Sequence, residues 1–164
     1  MSKRHMTTIA SINCPQERRQ PGLGLAIGMG VLAVLGLGLS AYMSYEALLG
    51  IIPACGPIGD CETVHTSAYT HTFGVPVAVL GFLGYAAVAA LGLIWVRASG
   101  MSAYLASLGI LGLAIAGTLF SAYLTYIEFF VIEAFCPWCL ASAAVFITIL
   151  ALAGISVCRQ AREE

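Results

Sequence analysis

Four cysteines fall in two pairs, Cys55/Cys61 and Cys136/Cys139. The second pair is a Cys-Pro-Trp-Cys that opens an apolar stretch. Proline favours the first position of a helix, so Cys136 is expected as the helix cap and Cys139 one turn inside. The partial positive charge at a helix start favours a thiolate. A spacing of three residues also brings the two Cα atoms near disulfide distance. Such a disulfide closes almost no chain and is a poor staple. The chemistry expected of it is reversible oxidation. The first pair encloses Gly56-Pro57-Ile58-Gly59-Asp60, residues that suit turns. It is expected on an exposed loop, where another protein's thiolate can reach it and exchange can carry the oxidation state inward. A purely structural disulfide is the alternative for this pair.

The elements that hold these pairs are set by composition. The chain has 164 residues, 60% hydrophobic and 9% charged, with a mean hydropathy of +0.93. A soluble domain of this size carries more charge. Four apolar stretches run over about residues 23–49, 75–96, 101–127 and 137–157. Each is long enough to cross a bilayer as a helix, and unpaired backbone groups in lipid rule out open strands. No ten-residue alternating segments of a β-barrel occur. The expected fold is an all-α integral membrane protein, an antiparallel four-helix bundle over residues 22–158. Residues 1–21 and 159–164 are expected as tails. The first apolar run is too long, and its polar lead too extended, for a cleaved signal peptide.

Lys3, Arg4, Arg18, Arg19, Arg97, Arg159 and Arg162 are all the basic residues apart from histidine, and all fall on one side of the four spans. The other side carries Asp60, Glu62 and Glu133. By the positive-inside rule both termini are cytosolic and both cysteine pairs extracytoplasmic. Both pairs can then meet at one membrane face and relay electrons. Cys14 and Cys158 lie on the cytosolic side, where reduced thiols without a role are expected.

Ser40-Ala41-Tyr42-Met43-Ser44-Tyr45 resembles Ser121-Ala122-Tyr123-Leu124-Thr125-Tyr126, and the same offset of 81 residues carries Cys55 onto Cys136. Two helix pairs in parallel orientation, facing across the bundle, would produce this echo. A belt of interfacial tyrosines is the alternative. Gly24 and Gly28 fit the spacing of a close helix contact. Glu46 and Glu128, near helix ends, are expected to snorkel.

Zinc could in principle take the cysteines with His65 and His71. Structural zinc usually organises a soluble knuckle, and here one pair opens a membrane helix, so no metal is expected. Leu140, not His, follows Cys139, which excludes a c-type haem. No nucleotide fingerprint occurs and no nucleic-acid partner is expected. A membrane-dissolved two-electron acceptor remains, and a quinone fits. Its ring would lie near Cys139, with Phe135 and Trp138 as aromatic neighbours. Glu128, Glu133, His65, Ser67 and Tyr126 are candidates to supply protons.

Cys55/Cys61, Val64, Ser67, Phe73-Gly74-Val75-Pro76 and Cys136-Pro137-Trp138-Cys139, in this order and frame, resemble the vitamin K epoxide reductase family. The resemblance covers roughly residues 22–158. It implies a catalytic set of Cys55, Cys61, Cys136 and Cys139: Cys55 exchanging with a partner protein, Cys61 with Cys136, and Cys139 delivering electrons to a quinone (ubiquinone, menaquinone or phylloquinone). It places Ser67 near the active site and a short lid or partial helix from about Glu62 to Phe73 over the quinone pocket. Vertebrate members carry Thr-Tyr-Ala where this chain reads Ser142-Ala143-Ala144, which speaks against vitamin K epoxide as the substrate. Many bacterial members continue into a thioredoxin-like domain. This chain stops at Glu164, so a separate thioredoxin-fold partner is expected, in a prokaryotic cytoplasmic membrane. The implied function is disulfide formation in exported proteins. Reduction of vitamin K quinone or its epoxide, and a non-catalytic scaffold with structural disulfides or zinc, are the alternatives.

Overall fold

The computed structural model describes residues 23–52, 60–67, 71–72, 74–98, 100–134 and 136–160. In chain order the helices are α1 (Leu23–Leu49), α2 (Cys61–Thr66), α3 (Val77–Arg97), α4 (Met101–Ile127) and α5 (Pro137–Gln160). All but α2 are long and apolar enough to cross a membrane. They are apolar around most of their circumference. Val34 is 67% exposed, Leu119 66% and Leu48 70%. Water does not tolerate continuous apolar surface on this scale, so these side chains face lipid.

α1 packs against α3 and α5, and α4 packs against the same two helices. Neighbours run antiparallel, which leaves α1 and α4 parallel on the diagonal. The four spans therefore form the expected bundle.

Four span boundaries differ from the sequence expectation, one of them by a single residue at Arg97. α3 starts at Val77, not at residue 75, because Val75 and Pro76 pair with Thr72 and His71 in a two-residue antiparallel hairpin. Gly74 takes φ 80° at its turn, where any side chain would be strained. The third span does not stop at Ile127. It continues as a π-helical turn over Glu128–Ile132. α5 runs on to Gln160.

The sequence echo has a structural counterpart. The offset of 81 residues carries Gly36 of α1 onto Gly117 of α4. A Cβ on Gly36 would overlap the Tyr85 ring from α3, and a Cβ on Gly117 the Phe146 ring from α5. Those two rings stack with centroids 4.3 Å apart. Each half of the bundle thus pushes an aromatic ring into a glycine notch of its own partner helix, and the rings meet at the centre. The close contact expected at Gly24 and Gly28 is not there. Gly24 has open space beside it, and Gly28 meets only Leu152 at ordinary distance. The spacing of two glycines does not say which face of a helix packs.

Two buried clusters follow from this arrangement. Tyr85 and Phe146 belong to the larger one, with Met29, Val88, Ile110 and Ile149. The smaller joins Met43, Cys61, Val64 and Cys136, with Trp138 and Cys139 packed against it. An apolar cavity opens between them.

Candidate functional site

α2 is short, and its start is fixed by a side-chain cap. Asp60 accepts the Thr63 backbone N–H at 3.1 Å and the Thr63 hydroxyl at 2.8 Å. These bonds to Thr63 hold the exposed Asp60 carboxyl below its ordinary pKa. The cap makes Cys61 the first helical residue. Positions three and four residues later share its face, so Val64 is buried and His65 half-buried beside it. At the C-terminal end the Ser67 hydroxyl donates to the Val64 carbonyl at 2.7 Å.

Cys61 was expected on an exposed loop. It is instead only 2% exposed and disulfide-bonded, with its partner outside the described residues. The cap turns the cysteine inward as the helix begins. Cys55 and Phe135 lie outside the described residues.

α5 begins at Pro137, and the Cys136 carbonyl accepts the first intrahelical bond, from Leu140 at 3.2 Å. Cys136 is therefore the helix cap, and Cys139 lies one turn in. Both are free thiols. Cys136 is fully buried, and its Sγ lies 3.5 Å from the Sγ of Cys61. The His65 Nε2 stands 3.9 Å from the same sulfur. The Cys136 thiol is lowered to about 5. The largest cause is the Cys139 thiol donating to its sulfur. The His65 imidazole and the Cys139 backbone N–H add to this, against the opposing effect of burial.

Glu128 was expected to snorkel. It is 3% exposed and points inward. It lies four residues after Leu124 and seven after Ser121, on the face of the third span that lines the cavity. Its backbone carbonyl accepts the N–H groups of Glu133 and of Ala134, the latter at 3.0 Å. Its Oε2 accepts the Cys136 N–H at 3.1 Å. Glu133 closes the turn in a left-handed conformation, φ 55°. One residue thus ties the end of the third span to the start of the fourth.

The cavity has a volume of about 310 Å³. Its wall is mostly aliphatic and aromatic, from Leu39 and Met43 on α1 to Phe120 on α4 and Phe146 on α5. The polar groups that reach it include His65, Ser67, Glu128, Cys139 and Ser142. Trp138 also lines it and meets Tyr42 with ring centroids 5.6 Å apart. Leu39, Ser40, Met43 and Ala47 map by the same offset onto Phe120, Ser121, Leu124 and Glu128, and all eight line the cavity. Of the candidate proton donors, Tyr126 is 58% exposed and stacked on Phe130, and Glu133 is exposed, both away from the cavity.

Tyr85 went unremarked in the sequence. Its hydroxyl donates to the Ser142 carbonyl at 2.9 Å and lies 3.0 Å from the Ser142 hydroxyl. A tyrosine midway along a span, far from either interface belt, was the available signal. Cys158, expected as a reduced thiol, is disulfide-bonded to a partner outside the described residues. The expectation came from the compartment and carried no information on which sulfurs lie within reach. Among the described residues no three His, Cys, Asp or Glu side chains gather as metal ligands.

The site can therefore pass a disulfide between Cys61 and Cys136, and it presents Cys139 to an apolar chamber inside a membrane bundle. The sequence comparison agrees with that arrangement. The model of the vitamin K epoxide reductase family matches residues 27–154, a stretch that contains both cysteine pairs and the cavity. The chain belongs to the vitamin K epoxide reductase family and is an integral membrane oxidoreductase.

Proposed function

We propose that this protein oxidises a separate thioredoxin-fold protein on the extracytoplasmic side of a prokaryotic cytoplasmic membrane and passes the electrons to a quinone. The outcome is disulfide formation in exported proteins. One observation carries the reading: Cys61 lies 3.5 Å from Cys136, and the next cysteine, Cys139, lines the apolar cavity.

In this reading Cys55 takes electrons from the partner by thiol–disulfide exchange, and the outer pair becomes a dithiol. The Cys61 thiolate attacks an inner disulfide at Cys136, and Cys55 then displaces Cys136 by closing the outer disulfide. The outer pair is oxidised again, and Cys136 and Cys139 are left as thiols. A disulfide-bonded Cys61 beside free Cys136 and Cys139 is consistent with this stage. The low pKa of Cys136 suits it to be the thiol displaced, since a thiol of lower pKa leaves faster.

The cavity residues fit a quinone ring. The wall is apolar, Trp138 offers an aromatic face, and Ser67 and His65 offer polar contacts at the α2 side. A bound quinone supplies a two-electron, two-proton acceptor. Cys139 brings the reducing sulfur to that chamber, and α2 covers the cysteine end.

The test is reconstitution in detergent with a reduced thioredoxin-fold protein and a quinone, followed by quinone absorbance. The wild type is expected to couple the two half-reactions. Cys55→Ala is expected to lose oxidation of the protein partner by at least about a hundred-fold while still accepting electrons from small dithiols. Equal loss with both reductants would remove Cys55 from the outer position. Running the assay with vitamin K quinone and with its epoxide separates general quinone reduction from epoxide reduction.

A further inference from the structure

We infer that Glu128 is the base that takes the proton of Cys139 when the inner pair is oxidised; this rests on the cavity being a quinone site. A carboxylate 3% exposed within a membrane span requires an explanation beyond solvation. Its known contacts account for only part of it. The bond to the Cys136 N–H uses one oxygen as a plain acceptor, which an amide would serve as well. The carboxylate and the Cys139 thiol line the same cavity, and the carboxylate is held at the first turn of the helix that carries Cys139. Geometry of this kind comes first in assigning a general base.

The titratable groups facing Glu128 are few. α2 contributes His65, and α5 contributes Cys136 and Cys139. α1 and α3 place no titratable side chain on the cavity wall among the described residues. Glu133, on the same turn, is exposed.

The step balances. The Cys139 S–H bond breaks and its proton moves to Glu128. The sulfur of Cys139 gives two electrons to a quinone-class acceptor, and the Cys136 thiolate closes the S–S bond. The proton released earlier by Cys136 is held at His65, which also lines the cavity. Glu128 and His65 then each release one proton to the reduced acceptor.

The experiment compares the full chain with E128Q and E128D. Alkylation of Cys139 by N-ethylmaleimide across pH, read by mass spectrometry, needs no quinone. E128Q retains an acceptor for the Cys136 N–H but cannot take a proton. Its quinone reduction is expected to fall about a hundred-fold with melting temperature unchanged, whereas its Cys139 alkylation at neutral pH, freed of the neighbouring negative charge, is expected to rise about tenfold. E128D keeps the base and is expected to hold the wild-type alkylation profile. E128Q alkylated like wild type would overturn the proposal. So would equal losses of quinone reduction in E128Q and E128D, which point to a purely structural carboxylate. A wild type that reduces no quinone would instead overturn the quinone reading, and the alkylation series would still decide the role of Glu128.

Discussion

Cys139→Ala is expected to lower quinone reduction by at least about a thousand-fold, to the level of buffer. Cys136 is fully buried against Cys61 and is not among the cavity-lining residues, whereas Cys139 is. Without Cys139 no described cysteine lines the chamber. The variant should still exchange its outer pair with small dithiols, because that step does not use Cys139. The small side chain removed lies in a pocket wall, so the fold should hold, and a melting curve checks this. Quinone absorbance with saturating reductant is the measurement. Turnover within tenfold of wild type would take the final transfer away from Cys139.

The second large effect concerns the acidity of Cys136. Its pKa is lowered to about 5. The thiolate is therefore present above that value, and it is lost only as pH falls through it. An ordinary thiol ionises only near about 8.5. Between those limits Cys136 is charged while an unperturbed cysteine is not. Thiolate ultraviolet absorbance, taken as wild type minus Cys136→Ser, should rise with a midpoint near 5. The midpoint is a better readout than reaction rate, because nucleophilicity falls along with pKa. Cys139→Ala removes the largest cause and should raise the midpoint most, and His65→Ala should raise it less. A wild-type midpoint in the ordinary thiol range would contradict the contacts of Cys139 and His65 with the Cys136 sulfur.

The spans were legible because lipid demands length and apolarity, and both are plain in a linear sequence. Pro137 also announced the start of α5, and with it the placement of Cys136 and Cys139. The site beside them was less legible. Glycine and proline around Cys61 read as an exposed loop, whereas Asp60 and Thr63 form a cap that turns Cys61 inward. Counting from Asp60 to Thr63 would have exposed that helix start. Glu128 was misread for a different reason. Its place near a span end suggested solvation, although helical spacing from Ser121 and Leu124 puts it on the cavity face. What no periodicity announces is the π turn that follows it. The glycine notches at Gly36 and Gly117 were hidden among 18 glycines. Only the rings of Tyr85 and Phe146 single them out. The echo between the first and third spans was visible as tyrosines, yet the residues that share the cavity are its less conspicuous members, such as Ser40 and Ser121.

Direct exchange between Cys61 and Cys136 is the step on which the electron path depends. The Cys55→Ala, Cys139→Ala double variant removes the usual partner assigned to each. Two sulfurs 3.5 Å apart need only modest side-chain rotation to reach the bonded distance of about 2.05 Å. Mild oxidation at pH about 9, above the ordinary thiol pKa of about 8.5, should therefore trap a Cys61–Cys136 disulfide. Non-reducing peptide mass spectrometry should find the two peptides joined in most molecules. Finding both cysteines still free under conditions that oxidise the wild-type Cys136/Cys139 pair would contradict the proposed relay.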